Sequence, residues 1–130
     1  MNKRMAYINK SKSDDWTTPP DLYYKLHDKY DFDFDPCPLN PSFDGLNIEW
    51  GARNFVNPPY SQLKAWVKKA YEESLKGKLV VMLLPSRTDT IAFHKYIYKI
   101  AEIEFIKGRL KFGGCENPAP FPSMIVVYNG

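Results

Sequence analysis

The chain has 130 residues, 44% hydrophobic, 25% charged and 15% aromatic, with 11 prolines and a formal net charge of +3. That length predicts one domain around one hydrophobic core, with no room for a separate recognition domain. The mild positive balance suits a phosphate backbone as partner without identifying one, and no run approaches the ~18 consecutive apolar residues of a membrane span.

Residues 1–14 carry Lys3, Arg4, Lys10 and Lys12 with little apolar periodicity. They read as a basic tail, for which solubility is a better explanation than a grip on nucleic acid, and residues 15–130 as the folded domain. The start lacks the apolar stretch of a secretory signal. Cys37 and Cys115 form no C-x-x-C pair, and His27 and His94 make no metal-type spacing with them, so the expectation is a reduced cytoplasmic protein without a metal.

In chain order, Thr18 followed by Pro19 and Asp21 predicts a capped helix start, and the helix runs to about Lys29. Residues 30–35 alternate rings with carboxylates at the period of a strand, which Asp35-Pro36 ends. Residues 37–51 hold Pro38, Asn40, Pro41, Asp44 and Gly45 and read as a functional loop. A brief strand at 54–56 stops at Asn57-Pro58-Pro59-Tyr60. Ser61 then caps a helix with Leu63, Trp66, Val67, Ala70, Tyr71 and Leu75 inward, closed by Gly77.

Residues 79–84 form a continuous apolar run of the kind found in central parallel strands. A helix over 90–99 with Phe93, Ile97 and Ile100 inward, a strand at 103–106, a long loop and a strand at 124–128 complete the series. This alternation predicts an α/β fold with a mostly parallel sheet. The last two strands lack a helix between them and are expected as an antiparallel pair at one edge.

Open α/β sheets bind ligands beyond the carboxyl ends of their strands, where Asp35-Pro36 and Asn57-Pro58-Pro59-Tyr60 fall. The tetrapeptide has a chemical logic for an aromatic amine, a poor nucleophile while its lone pair stays conjugated with the ring. The Asn57 side-chain oxygen and the Pro58 carbonyl can accept both N–H groups, favouring a pyramidal nitrogen. Pro58 and Pro59 stiffen the loop and add no competing donors. Tyr60 supplies a ring face for a base swung out of a duplex. No general base is required, because the proton leaves only after the amine has reacted.

The chain resembles the small, mostly phage-encoded Dam-like DNA N6-adenine methyltransferases. The matching segments are Trp16-Thr17-Thr18-Pro19, Phe34-Asp35-Pro36, Phe55-Val56-Asn57-Pro58-Pro59-Tyr60, Pro85-Ser86-Arg87-Thr88-Asp89-Thr90, Gly108-Arg109-Leu110-Lys111-Phe112 and Pro118-Ala119-Pro120-Phe121-Pro122. The resemblance implies an abbreviated Rossmann-like methyltransferase sheet, S-adenosylmethionine as cofactor and DNA as partner.

It further implies that Trp16, Thr17, Thr18 and Pro19 bind the cofactor, the Thr17 to Pro19 turn holding its carboxylate, although a plain helix cap explains Thr18 equally well. Asp35, Pro36, Cys37 and Asn57 would line the cofactor pocket, with Asp35 accepting from its ammonium group, although a simple turn cap also explains Asp35. No glycine-rich G-x-G loop follows Asp35. Pro59, Tyr60, Arg87, Thr88, Arg109 and Phe112 are the expected DNA contacts, and helix capping is the better reading of Asp89. Asn57, Pro58 and Tyr60 are the catalytic candidates. Methylation of an RNA base or a protein glutamine, and non-catalytic DNA binding, are the competing readings.

Overall fold

The computed structural model describes residues 17–112 and 117–130, so the basic tail and Trp16 lie outside the described residues. In chain order the elements are α1 (Pro20–Tyr30), β1 (Arg53–Val56), a 3-10 turn (Tyr60–Gln62), α2 (Leu63–Ser74), β2 (Leu79–Pro85), a π-helical turn (Phe93–Ile97), β3 (Glu102–Phe105) and β4 (Ser123–Tyr128). The strands form one four-stranded sheet in the order β1-β2-β4-β3.

The sheet is mixed, which corrects the expectation of a mostly parallel one. β1 and β2 are parallel, with Arg53 opposite Leu79 and Val56 opposite Met82. β4 runs antiparallel to β2 on one side and to β3 on the other. The reason lies in side chains: β4 is buried along its whole length, whereas β3 carries Glu102 and Glu104 and is mostly exposed. The apolar strand therefore takes the interior beside β2, and the charged one takes the edge, where like charges also discourage strand addition.

Residues 30–35 do not form a strand; they contribute one parallel bridge, Phe34 to Asn54. Asp33 intervenes, since its carboxylate accepts from the Arg53 amide at 3.0 Å, in place of a ladder carbonyl. The rings of this segment still bury, with Phe32 5.3 Å from Phe55.

Strand alternation divides the core into two layers. Val56, Val80, Met82, Leu84, Met124 and Val126 face α2 and the π-helical turn, packing on Trp66, Val67, Phe93 and Ile97. Phe55, Leu79, Val81, Leu83, Ile125 and Val127 face α1, through Leu26, and the loop containing Phe112 and Ala119.

Helix ends depart from the expected caps. Pro19 is the residue before α1 and no side chain caps that helix; Thr18 is engaged elsewhere, as described below. The 3-10 turn at Tyr60–Gln62 leads into α2, so Ser61 is not its cap, and Leu75, just beyond the last turn, is exposed. The helix expected over 90–99 is reduced to the π-helical turn. Thr90 rather than Asp89 braces the segment leading into it, its Oγ1 accepting from the Phe93 amide at 3.2 Å. Lys99 then takes a left-handed φ of 64°, which swings Ile100 off the buried face and into solvent.

Candidate active site

Because β1 and β2 are parallel and Phe34 bridges β1 in the same sense, three chain exits share one rim. These are Asp35-Pro36-Cys37, Asn57-Pro58-Pro59-Tyr60, and the turn from Ser86 to Asp89. β4 enters from this rim, with Ser123 opposite Pro85, and β3 leaves at it, with Phe105 opposite Met124. The connection from β3 to β4 therefore leaves from and returns to the same edge, where α/β sheets bind their ligands.

Val56 points into the α2 layer, so the next residue turns towards the α1 side. There the Asn57 Nδ2 donates to Thr18 Oγ1 at 3.0 Å, across 39 residues of sequence. Asn57 is half-buried, Pro58 buried and Pro59 half-buried. Fixing the amide nitrogen on Thr18 defines the direction of the amide oxygen, which a freely rotating side chain would not have. Thr17, next to this contact, is buried.

Tyr60 sits edge-on to Phe121, with ring centroids 5.0 Å apart at 72°. The Arg87 guanidinium lies 5.9 Å from the Tyr60 ring centroid. Burial pushes the Tyr60 hydroxyl well above its ordinary value of 10.0, and the Arg87 charge only partly opposes this. The phenol thus stays neutral at any physiological pH and offers a ring and a hydroxyl, not a base.

In the first exit the Asp35 Oδ1 accepts from the Cys37 amide at 2.9 Å, folding the chain around buried Pro36. Gly45 presses against this turn: a Cβ there would lie 2.0 Å from the Pro36 carbonyl oxygen. A cavity of about 450 Å³ opens beside it, lined by Cys37, Phe43, Pro59, Gln62 and Trp66 among others. A second cavity of about 520 Å³ is lined by Tyr60, Leu84, Arg87, Ile91, Phe93 and Met124 among others. The Pro59-Tyr60 dipeptide contributes one residue to each, so the tetrapeptide borders both hollows through its last two residues.

Of the sequence-predicted residues, Thr18 and Asn57 are joined directly, and Tyr60 and Arg87 meet through ring and cation. Thr88 and Arg87 are exposed on the rim, and Thr88 is held by its carbonyl, 2.8 Å from His94 Nε2. His94, which makes no metal-type spacing in the sequence, braces this turn. Arg109 is exposed, with Nη1 3.4 Å from the Ala119 carbonyl.

Phe112 is placed differently from expectation. It is 2% exposed, packed in the α1 layer 5.9 Å from Phe121, so it supports the rim from beneath. Phe121 is the ring at the surface, in contact with Tyr60. No local pattern distinguishes the two phenylalanines; the tertiary path of the loop does.

Two structural residues escaped the sequence. Glu73 is 1% exposed and takes Lys78 at 2.6 Å, Lys76 at 2.8 Å and Lys69 at 3.1 Å, and its Oε1 accepts from the Trp50 amide at 3.0 Å. Burial alone would raise its carboxyl pKa, but these donors together hold it far below the ordinary 4.5. The i, i+4 and i, i+3 lysines around it were a readable signal. Buried Asn54 clamps Gly51 through both amide atoms and the Leu79 carbonyl at 3.0 Å. Together these contacts anchor the end of the 37–51 loop, and with it one wall of the smaller cavity.

Among the described residues, no group of three or more His, Cys, Asp or Glu is placed to hold a metal ion. Nor is any described helix long and apolar enough to cross a membrane.

Fold and rim together define an α/β protein with a two-hollow site at the carboxyl ends of parallel strands. The chain belongs to the Dam family: residues 5–125 match the family described as DNA N-6-adenine-methyltransferase (Dam). It is similar to a DNA N-6-adenine-methyltransferase of Escherichia phage T1, 31% identical over 108 residues, covering 73% of this chain and 45% of that protein. It is also similar to a DNA N-6-adenine-methyltransferase of Haemophilus phage HP1 (strain HP1c1), 31% identical over 111 residues, covering 75% of this chain and 64% of that protein. The chain thus spans about half to somewhat under two thirds of the curated relatives it matches. No solved structure matches it.

Proposed function

We propose that this chain transfers a methyl group from S-adenosylmethionine to the exocyclic N6 amine of adenine in DNA, in the cytoplasm of a bacterium or phage-infected cell. One observation carries the reading: Asn57-Pro58-Pro59-Tyr60 stands at the carboxyl end of a parallel strand, its asparagine amide fixed by Thr18, with Pro59 lining one cavity and Tyr60 another. A transfer between two molecules needs room for both and acceptor groups close to that room. Family membership and the names of the two phage relatives support the substrate.

The residues fit the cofactor. Asp35 offers a carboxylate for an ammonium group, and Phe43 and Trp66 offer rings for an adenine in the smaller cavity. The Pro19-Pro20 pair removes two amide donors from the start of α1, so Thr17 and Thr18 must supply most of any contact to a carboxylate. When bound, S-adenosylmethionine supplies an electrophilic methyl carbon. Asn57 and the Pro58 carbonyl accept the two N–H groups of the target amine and turn its lone pair outward. Tyr60 stacks on the base and Phe121 backs Tyr60. Arg87, Thr88, Arg109 and the loop around them receive the DNA strand.

We read residues 15–130 as the catalytic unit, its sheet an abbreviated Rossmann-like methyltransferase sheet, and residues 1–14 as a tail. The test is transfer of labelled methyl from S-adenosylmethionine to DNA, RNA and protein, with nucleoside analysis of the product. N6-methyladenine in DNA, abolished by Asn57→Ala at unchanged Tm, is the expected result. Label in RNA or protein alone, or full activity of Asn57→Ala, overturns the reading.

A further inference from the structure

The second cavity is lined in part by an apolar residue that is mostly exposed. Ile91 is 69% exposed at its mouth, although Phe93 and Ile97, which follow it in the same segment, are buried. A single exposed aliphatic is ordinary on a protein surface, so exposure by itself carries nothing. The turn that bears it is what makes it informative.

Several hydrogen bonds brace that turn. The Arg87 amide donates to the Pro85 carbonyl at 2.9 Å, Thr90 Oγ1 donates to the Arg87 carbonyl at 3.0 Å, and the Phe93 amide donates to Thr90 Oγ1 at 3.2 Å. His94 Nε2 lies 2.8 Å from the Thr88 carbonyl, and the π-helical turn follows at once. Arg87 ties the turn to Tyr60 by lying over its ring. A rigid projection is thus coupled to the residue that stacks the target base.

Its charges suit a DNA groove. Exposed Arg87 and Lys64 line the same cavity and attract phosphate. Asp89, the acid on the turn, repels phosphate but accepts from the exocyclic amine of a base, which turns this side of the projection towards base edges. Isoleucine is among the apolar side chains that enter base steps as wedges.

We propose that Ile91 enters the base stack and fills the space left by the adenine that swings out towards Tyr60, a role that rests on the DNA-adenine reading above. The wedge lowers the cost of extrusion from a paired duplex and does nothing where that cost is already small.

The experiment compares wild type, Ile91→Ala and Leu75→Ala on two duplexes built around a mapped methylated adenine. In one the adenine is paired; in the other it faces an abasic site. Leu75 is equally exposed at 69%, but lies at the end of α2 near the start of β2, away from the rim, and controls for lost surface apolarity. Ile91→Ala is expected to lose roughly tenfold or more in methylation of the paired duplex and to lose the fluorescence rise of 2-aminopurine at the target position. On the abasic duplex it should stay within about twofold of wild type, because extrusion there is cheap. Leu75→Ala should match wild type on both.

Undiminished activity of Ile91→Ala on the paired duplex overturns the wedge while leaving the enzyme's identity intact. Equal loss on both duplexes also overturns it, since that marks a general defect. A wild type that methylates no DNA overturns the underlying reading, and the wedge with it.

Discussion

Gly45→Ala tests whether the 37–51 loop shapes the cofactor side of the site. A Cβ at this position would lie 2.0 Å from the Pro36 carbonyl oxygen and 2.7 Å from the Trp66 ring. Ordinary carbon–oxygen approach is about 3.3 Å, so backbone and loop must separate by more than about 1 Å. Neither neighbour gives way easily. Pro36 is buried behind the Asp35–Cys37 turn, and Trp66 is buried with its ring stacked 6.1 Å from Trp50. Overpacking of this kind costs about 1–3 kcal/mol, or a fall in Tm of roughly 3–15 °C for a chain of this size. A displacement near 1 Å at a reacting geometry costs on the order of a hundredfold in rate.

Calorimetry with S-adenosylmethionine, thermal unfolding and methyl transfer would be measured together. The control is Gly77→Ala, where φ is +89° and the space around a Cβ is open. Backbone strain of about 1 kcal/mol should lower its Tm alone, with cofactor affinity unchanged. Wild-type Tm and affinity for Gly45→Ala, or equal losses of activity in both variants, would refute the reasoning.

Two further predictions concern polar contacts, one buried and one half-buried. Glu73→Gln should destabilise the fold by about 2–3 kcal/mol, somewhat under the usual cost of breaking a buried ion cluster because Lys76 remains half exposed. Since folding lowers the Glu73 pKa, its contribution is present above the ordinary 4.5 and is lost as pH falls below it. The difference in Tm between wild type and Glu73→Gln should therefore shrink in acid; a gap independent of pH would contradict the assignment. Thr18→Val should lower kcat roughly tenfold and also raise KM for S-adenosylmethionine, and Thr18→Ser should restore both, because the hydroxyl that accepts from Asn57 is removed together with its own donor proton. An equal loss in Thr18→Ser would show that shape, not the hydrogen bond, matters there.

What was readable in the sequence depended on neighbours a few residues away. The apolar run that became β2, the helical spacing of Trp66, Val67 and Ala70, and the two prolines that stiffen the loop after Asn57 are all local patterns with one physical outcome. The tetrapeptide could be given a chemistry before a fold, because an asparagine and two imino acids have the same acceptors and the same rigidity wherever they stand.

What the tertiary structure decided involves partners distant in the chain, whose pairing no local pattern encodes. Thr18 looked like a helix cap until Asn57, 39 residues on, took its hydroxyl. Phe112 and Phe121 are interchangeable as letters; the loop buries one and brings the other to Tyr60. β4 sits between β2 and β3 because burial is a competition among all strands at once, and the most apolar claimant took the inner place. Composition sets what each segment can do, and the contest for a limited interior determines which of those possibilities is realised.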